Sequence, residues 1–137
     1  MHTKRFTTLY IVSTILLCIL FVTACGVVKS TQALTDSANN FMTALKDGDY
    51  QAAYDLFVPE LQSEVGSVEN LQAMIVDNLA QPSEWTFSAV NASTADEATT
   101  AKVEGSVTYQ DGKEGAVTLE FLKSGEEWLL TSFNLTW

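Results

Sequence analysis

The chain has 137 residues, enough for one domain of ordinary size and a leader, and its 17 Asp and Glu against seven Lys and Arg give a net charge of −10. All the acids lie from Asp36 onward, and beyond residue 24 only Lys29, Lys46, Lys102, Lys113 and Lys123 oppose them, so that portion carries −12. Such a surface repels phosphate backbones and offers no basic stripe for counterion release, which argues against nucleic acid as a partner.

The chain opens with "MHTKRFTT", in which Lys4 and Arg5 precede an uncharged run from Leu9 to Val28. A positive start, an apolar stretch and small residues before a break are the parts of a secretory signal peptide. The run is also about 20 residues long, which is the length an uncleaved helix needs to span a bilayer. Lipid-anchored, membrane-spanning and freely secreted products all place the rest of the chain outside the cytoplasm.

Val22, Thr23, Ala24 and Cys25 resemble the lipobox of bacterial lipoproteins. That resemblance implies removal of residues 1–24 as a signal peptide and a diacylglyceryl group on the Cys25 sulfur, with acyl chains such as palmitate. Residues 25–31 would then be the lipidated cysteine and a short tether, and residues 32–137 a single domain held at the cell membrane or outer membrane. Two acyl chains suffice for stable anchoring where one is marginal, since each buried methylene contributes about 0.8 kcal/mol. Cys18 falls in the leader, so the domain has no second thiol and no internal disulfide. A core must hold it together.

The first domain segment, "TQALTDSANNFMTALKDG", sets Leu34, Ala38, Phe41, Met42 and Leu45 on one helical stripe and ends at Lys46 and Gly48. Asp49 caps a second helix in which Tyr50, Ala53, Tyr54 and Phe57 repeat at i, i+3, i+4 and i+7. Pro59 opens a third short turn, and Ser67 caps a fourth segment with Val68, Leu71, Ile75 and Leu79 on its buried face until Pro82.

Beyond Pro82 the period changes to two. "EWTFSAV" and "KVEGSVTYQ" alternate as half-buried strands, "GAVTLEFLK" and "EWLLTSFNLTW" follow, and Ser124 and Gly125 join the last two. The Asp-Gly pair in "QDGKE" supplies the positive φ angles of a tight hairpin, and Gly105 and Gly115 within strands indicate bulges or bends. The expected fold class is α+β, with N-terminal helices packed on a curved four-stranded antiparallel sheet in a cone-like arrangement.

Residues 41–61, "FMTALKDGDYQAAYDLFVPEL", resemble the opening of small bacterial domains in the nuclear transport factor 2-like superfamily, a cystatin-like α+β cone. The resemblance implies a cavity between helices and sheet. It does not imply a function, because enzymes, ligand binders and many lipoproteins share that fold.

His2 is the only histidine and lies in the leader, so the domain has neither a histidine base nor a conventional Cys and His zinc site. No cofactor or metal is expected. "DGD" at 47–49 lacks the further oxygen ligands of a calcium loop, and the sequons at Asn91 and Asn134 read as chance matches. Tyr50, Tyr54 and Asp55 are residue types that a small isomerase or hydrolyase with a Tyr and Asp pair would use, without a catalytic spacing. Phe41, Tyr54, Phe57, Trp85 and Tyr109 point inward and are the candidates to line a pocket for a small apolar ligand. Trp128 alternates against Leu129, Phe133, Leu135 and Trp137, so one of the two sets is expected on the surface, where it would suit a protein partner or a homodimer through the sheet. The sequence thus points to a non-catalytic, lipid-anchored ligand- or protein-binding domain, with the isomerase and a structural envelope adaptor as alternatives.

Overall fold

The computed structural model describes the backbone of residues 24–137 and the side chains of residues 30–137. The leader through residue 23 and the Cys25 sulfur lie outside that range. The chain divides between Gln32 and Ala33, and the unit Ala33–Trp137 is compact and holds the whole sheet.

Helix α1 (Ala24–Asp47) starts earlier than its apolar stripe indicates and takes in the residues expected as a tether. Residues 27–33 contain no Pro or Gly to interrupt it. Leu34, Ala38, Phe41, Met42 and Leu45 are at most 1% exposed, as the stripe requires. The helix closes in a Schellman motif, in which Asp49 N–H donates to Ala44 O at 2.8 Å and Gly48 N–H to Leu45 O at 3.3 Å. Gly48 sits at φ +72°, where a Cβ would be strained.

Asp49 Oδ1 accepts from Ala52 N–H at 3.1 Å and so caps helix α2 (Tyr50–Asp55). Helix α3 (Pro59–Val65) begins on its proline, and Ser67 caps helix α4 (Val68–Asn78) by accepting from Asn70 N–H at 3.1 Å. Leu71 and Ile75 of α4 are buried, whereas Met74 and Val76 remain 42% and 52% exposed. Among the described residues no helix is long and apolar enough to cross a membrane.

Strands β1 (Pro82–Ala95), β2 (Ala98–Tyr109), β3 (Glu114–Ser124) and β4 (Glu127–Leu135) form one antiparallel sheet in chain order. With the helices packed on it around one core, the domain is the α+β arrangement of helices on a curved meander. The first hairpin is longer than the alternation indicates. β1 continues through Asn91–Ala95 and turns at Asp96 and Glu97, with φ of +50° and +68°. Two successive left-handed residues match the twist of the flanking strands, but neither is the Gly or Asn that marks such a turn in sequence.

The second hairpin differs from expectation in its turn. Only Gly112 has positive φ, at +85°, while Asp111 Oδ1 accepts from Lys113 N–H at 3.1 Å. Tyr109 N–H donates to Lys113 O at 2.8 Å, which closes a wider loop than a two-residue Asp-Gly turn.

The sheet curves at three residues left without a cross-strand partner, Ser83 and Ser88 on β1 and Thr131 on β4. The expected bulge near Gly105 therefore lies on the strand opposite it. Gly105 itself faces the Thr86 backbone and Gly115 the Thr136 carbonyl, each too close to admit a Cβ.

The Thr131 bulge also resolves the alternation of β4 differently from the simple two-set reading. Trp128 and Leu130 face the core, the extra residue shifts the phase, and Phe133 and Leu135 then face the core as well. Trp128 is 2% exposed, and Trp137, past the end of the strand, is 59% exposed. Residues 56–58 run parallel to β4 on its outer side, where Leu130 N–H donates to Leu56 O at 2.7 Å and Val58 N–H to Leu130 O at 2.9 Å.

Candidate functional site

Of the candidate pocket residues, Phe41 on α1, Tyr54 on α2 and Phe57 just beyond α2 come together. Their rings meet at centroid distances of 6.0 Å for Phe41 with Phe57 and 5.5 Å for Tyr54 with Phe57. Phe133 of β4 completes the cluster, 5.5 Å from Phe41 and 5.6 Å from Phe57. These are distances of rings in contact, so the cluster is packed core. Phe41 and Phe57 are 0% and 3% exposed.

Trp85 and Tyr109 are held elsewhere. The half-buried Trp85 indole donates from Nε1 to Asn39 Oδ1 at 2.9 Å, tying β1 to α1, and its ring borders an open surface depression with Lys46, Ser83, Glu84 and Thr86. Tyr109 is buried at the end of β2, where its hydroxyl donates to Thr136 O at 3.0 Å. Burial, and secondarily the Asp111 carboxylate, raise its phenol above the usual 10.0. The Cys25 backbone lies in the first turn of α1.

The residues weighed for acid–base chemistry do not converge. The Tyr54 hydroxyl donates to Gln62 O at 2.9 Å, and Gln62 Nε2 returns a bond to Tyr54 O at 3.1 Å. Asp55 is on the surface and accepts from Gln51 Nε2 at 2.7 Å. Tyr50 is buried, and Gln81 Nε2 donates to its oxygen at 3.4 Å. Among the described residues no cluster of His, Cys, Asp and Glu is placed to hold a metal ion, and no charged side chain is buried.

The helices and β4 instead frame a groove. Leu61, Glu64 and Val65 of α3, Met74 of α4 and Thr131, Ser132 and Phe133 of β4 line a hollow of about 340 Å³. A second hollow of about 310 Å³ runs on along Ile75, Asn78 and Leu79 to Asn134 and Leu135, sharing Met74 and Phe133 with the first. Leu61 and Val65 are buried by their helical phase, while Met74 falls off the stripe of Leu71 and Ile75 and reaches solvent beside Phe133. At the far end the exposed Trp137 indole donates from Nε1 to Asn78 O at 3.1 Å, with Lys113 Nζ 3.7 Å from its ring centroid.

The groove was not found from the sequence. The signal available in sequence is that Met74 and Val76 are apolar on the face of α4 that its stripe assigns to solvent. The floor needs the Thr131 bulge, which no composition marks. Electrostatically the helical wall is one-sided, because residues 59–81 contain Glu60, Glu64, Glu69 and Asp77 and no Lys or Arg.

Among curated proteins nothing matches the chain. A family model matches residues 24–131, which covers all four helices and the sheet as far as the β4 bulge. The chain belongs to the family described as Domain of unknown function (DUF4878).

Proposed function

We propose that the chain is a lipid-anchored extracytoplasmic protein whose domain binds a partner in the groove between α4 and β4, without catalysis. The anchor rests on Val22–Cys25 lying within the uncharged run that Lys4 and Arg5 precede. Helices over a curved sheet agree with the cone of the nuclear transport factor 2-like superfamily, which residues 41–61 resemble.

One observation carries the binding reading. Met74, 42% exposed, stands beside the half-buried ring of Phe133 in a groove walled by Leu61, Val65 and Ile75, an apolar strip with a polar rim. The centre of the domain is occupied by touching rings, which favours a surface groove over an enclosed small-molecule cavity. The Tyr54 hydroxyl and Asp55 carboxylate are engaged with separate partners, which weighs against the isomerase alternative.

Two measurements test this reading. Cys25→Ser should release the chain from the membrane fraction of a bacterial host and abolish lipid labelling; normal processing and labelling of that variant would overturn the anchor. A photoreactive residue at Met74 should form discrete adducts in intact cells at far higher yield than the same residue at Glu126, in the exposed β3–β4 turn. Equal yields at the two positions would overturn the groove.

A further inference from the structure

We propose that the outer edge of β4 from Ser132 to Leu135 takes up an extended, cationic polypeptide segment as a fifth strand. The proposal rests on the groove reading above and names the chemistry of its occupant.

The edge is open where the groove begins. Residues 56–58 pair with β4 only at Leu130, and among the described residues no segment continues that pairing. In an antiparallel pair, alternate residues bond their neighbour strand and those between point the other way. Thr136 N–H donates to Ala116 O at 3.0 Å, which fixes the phase. Ser132 and Asn134, opposite Glu120 and Thr118, therefore bond β3, and Phe133 and Leu135 present their N–H and C=O groups to the groove.

Exposed edges are ordinarily blunted by bulges, charges or proline. β1 has bulges at Ser83 and Ser88 and a charge at Glu84. The Ser132–Leu135 segment "SFNL" has none of these devices. An added strand would lie about 4.8 Å from β4, with alternate side chains against Met74 and Leu61. This is strand addition, in which main-chain bonds give affinity and the flanking pockets give selectivity.

Charge complementarity selects the occupant. Glu64 lines the groove on the helical side and, unlike Glu120, which stands opposite Lys102 on β2, has no Lys or Arg among residues 59–81 beside it, so the wall nearest the edge is acidic. The domain around it has a net charge of −12. A second copy would bring the same carboxylates against each other, whereas a segment alternating Val-like and Lys-like residues satisfies both wall and rim.

The probe is an acetylated ten-residue peptide alternating Lys and Val, titrated by fluorescence anisotropy against the full chain in detergent. Binding should be saturable and about tenfold weaker or worse when the four central nitrogens are methylated, a change that keeps charge and composition but removes backbone donors. Glu64→Lys, at an exposed position, should also weaken it, and a Glu and Val peptide should not compete. Equal affinity of the methylated peptide would reduce the effect to general charge attraction and overturn strand addition. A chain that dimerises at physiological salt and is dissociated by the peptide would put a second copy on the edge and overturn the cationic occupant. Met74 adducts in cells without peptide binding would overturn this proposal and leave the groove standing; peptide binding unaffected by Met74→Lys would overturn both.

Discussion

Phe133 serves two structures at once, because its ring stacks on Phe57 at 5.6 Å with a 21° interplanar angle and also floors the groove. Phe57→Ala removes a 3% exposed ring and should lower the unfolding free energy by about 3–5 kcal/mol. Phe133→Ala, at a half-buried position, should lower it by about 2–3 kcal/mol, and urea titration of both variants gives the comparison. Tyr109 supplies a second test. Its folded-state phenol is raised above 10.0, so the neutral form is the one the fold favours. The associated stability is present below pH 10 and falls away as pH rises through the folded value. Tyr109→Phe should flatten that alkaline decline in unfolding free energy as pH rises above about 10. At this scale the sequence was informative about Phe41 and Tyr54, which lie on helical stripes, whereas Phe57, expected at i+7 of the second helix, falls past its end and bridges to Leu130 of β4. Its account of Phe133 needed strand phase, which local alternation cannot supply across a bulge.

Among the elements, the helices were the most readable because they carry their own punctuation: Gly48, Asp49 and Ser67 sit at caps, and Pro59 at the first helical position of α3. The first hairpin was the least readable. Its distal strands are Ser, Thr, Asn and Ala on both faces, exposed on nearly every residue from 90 to 100, so burial imposes no period on them. Its turn places Asp96 and Glu97 in the left-handed region, which costs an L-residue roughly 1–2 kcal/mol. Glu97→Gly should therefore raise stability by about 0.5–1 kcal/mol after the extra freedom of the unfolded chain is counted. A rise in the thermal midpoint measures it, and an unchanged or lower midpoint would show that the turn is not strained.

For the whole molecule, charge and shape act together. Excess acid over base should oppose the approach of a second copy, while β4 leaves Ser132–Leu135 of its edge unblunted, so repulsion would supply the protection that strand chemistry does not. Screening should expose this. Raising salt from about 0.01 M to 1 M shortens the Debye length from about 30 Å to about 3 Å, and the detergent-solubilised chain should become larger by light scattering over that range. A constant size would show that charge is not what keeps the edge free. The α+β class was readable at this scale because a helical period gives way to a strand period once, at Pro82. The groove was not, since it is made where α3, α4 and β4 meet.

The unpaired Thr131 has a consequence for how the chain can change in length. Trp128 and Leu130 lie on one side of it in sequence and Phe133 and Leu135 on the other, all four facing inward because one residue is left over between them. Deleting that residue would remove no core side chain, yet it would oblige one of the two pairs to turn outward. The same deletion in the polar hairpin around Asp96 would turn no large side chain. Length variation in this family is therefore expected to collect at the β1–β2 tip and to avoid the middle of β4.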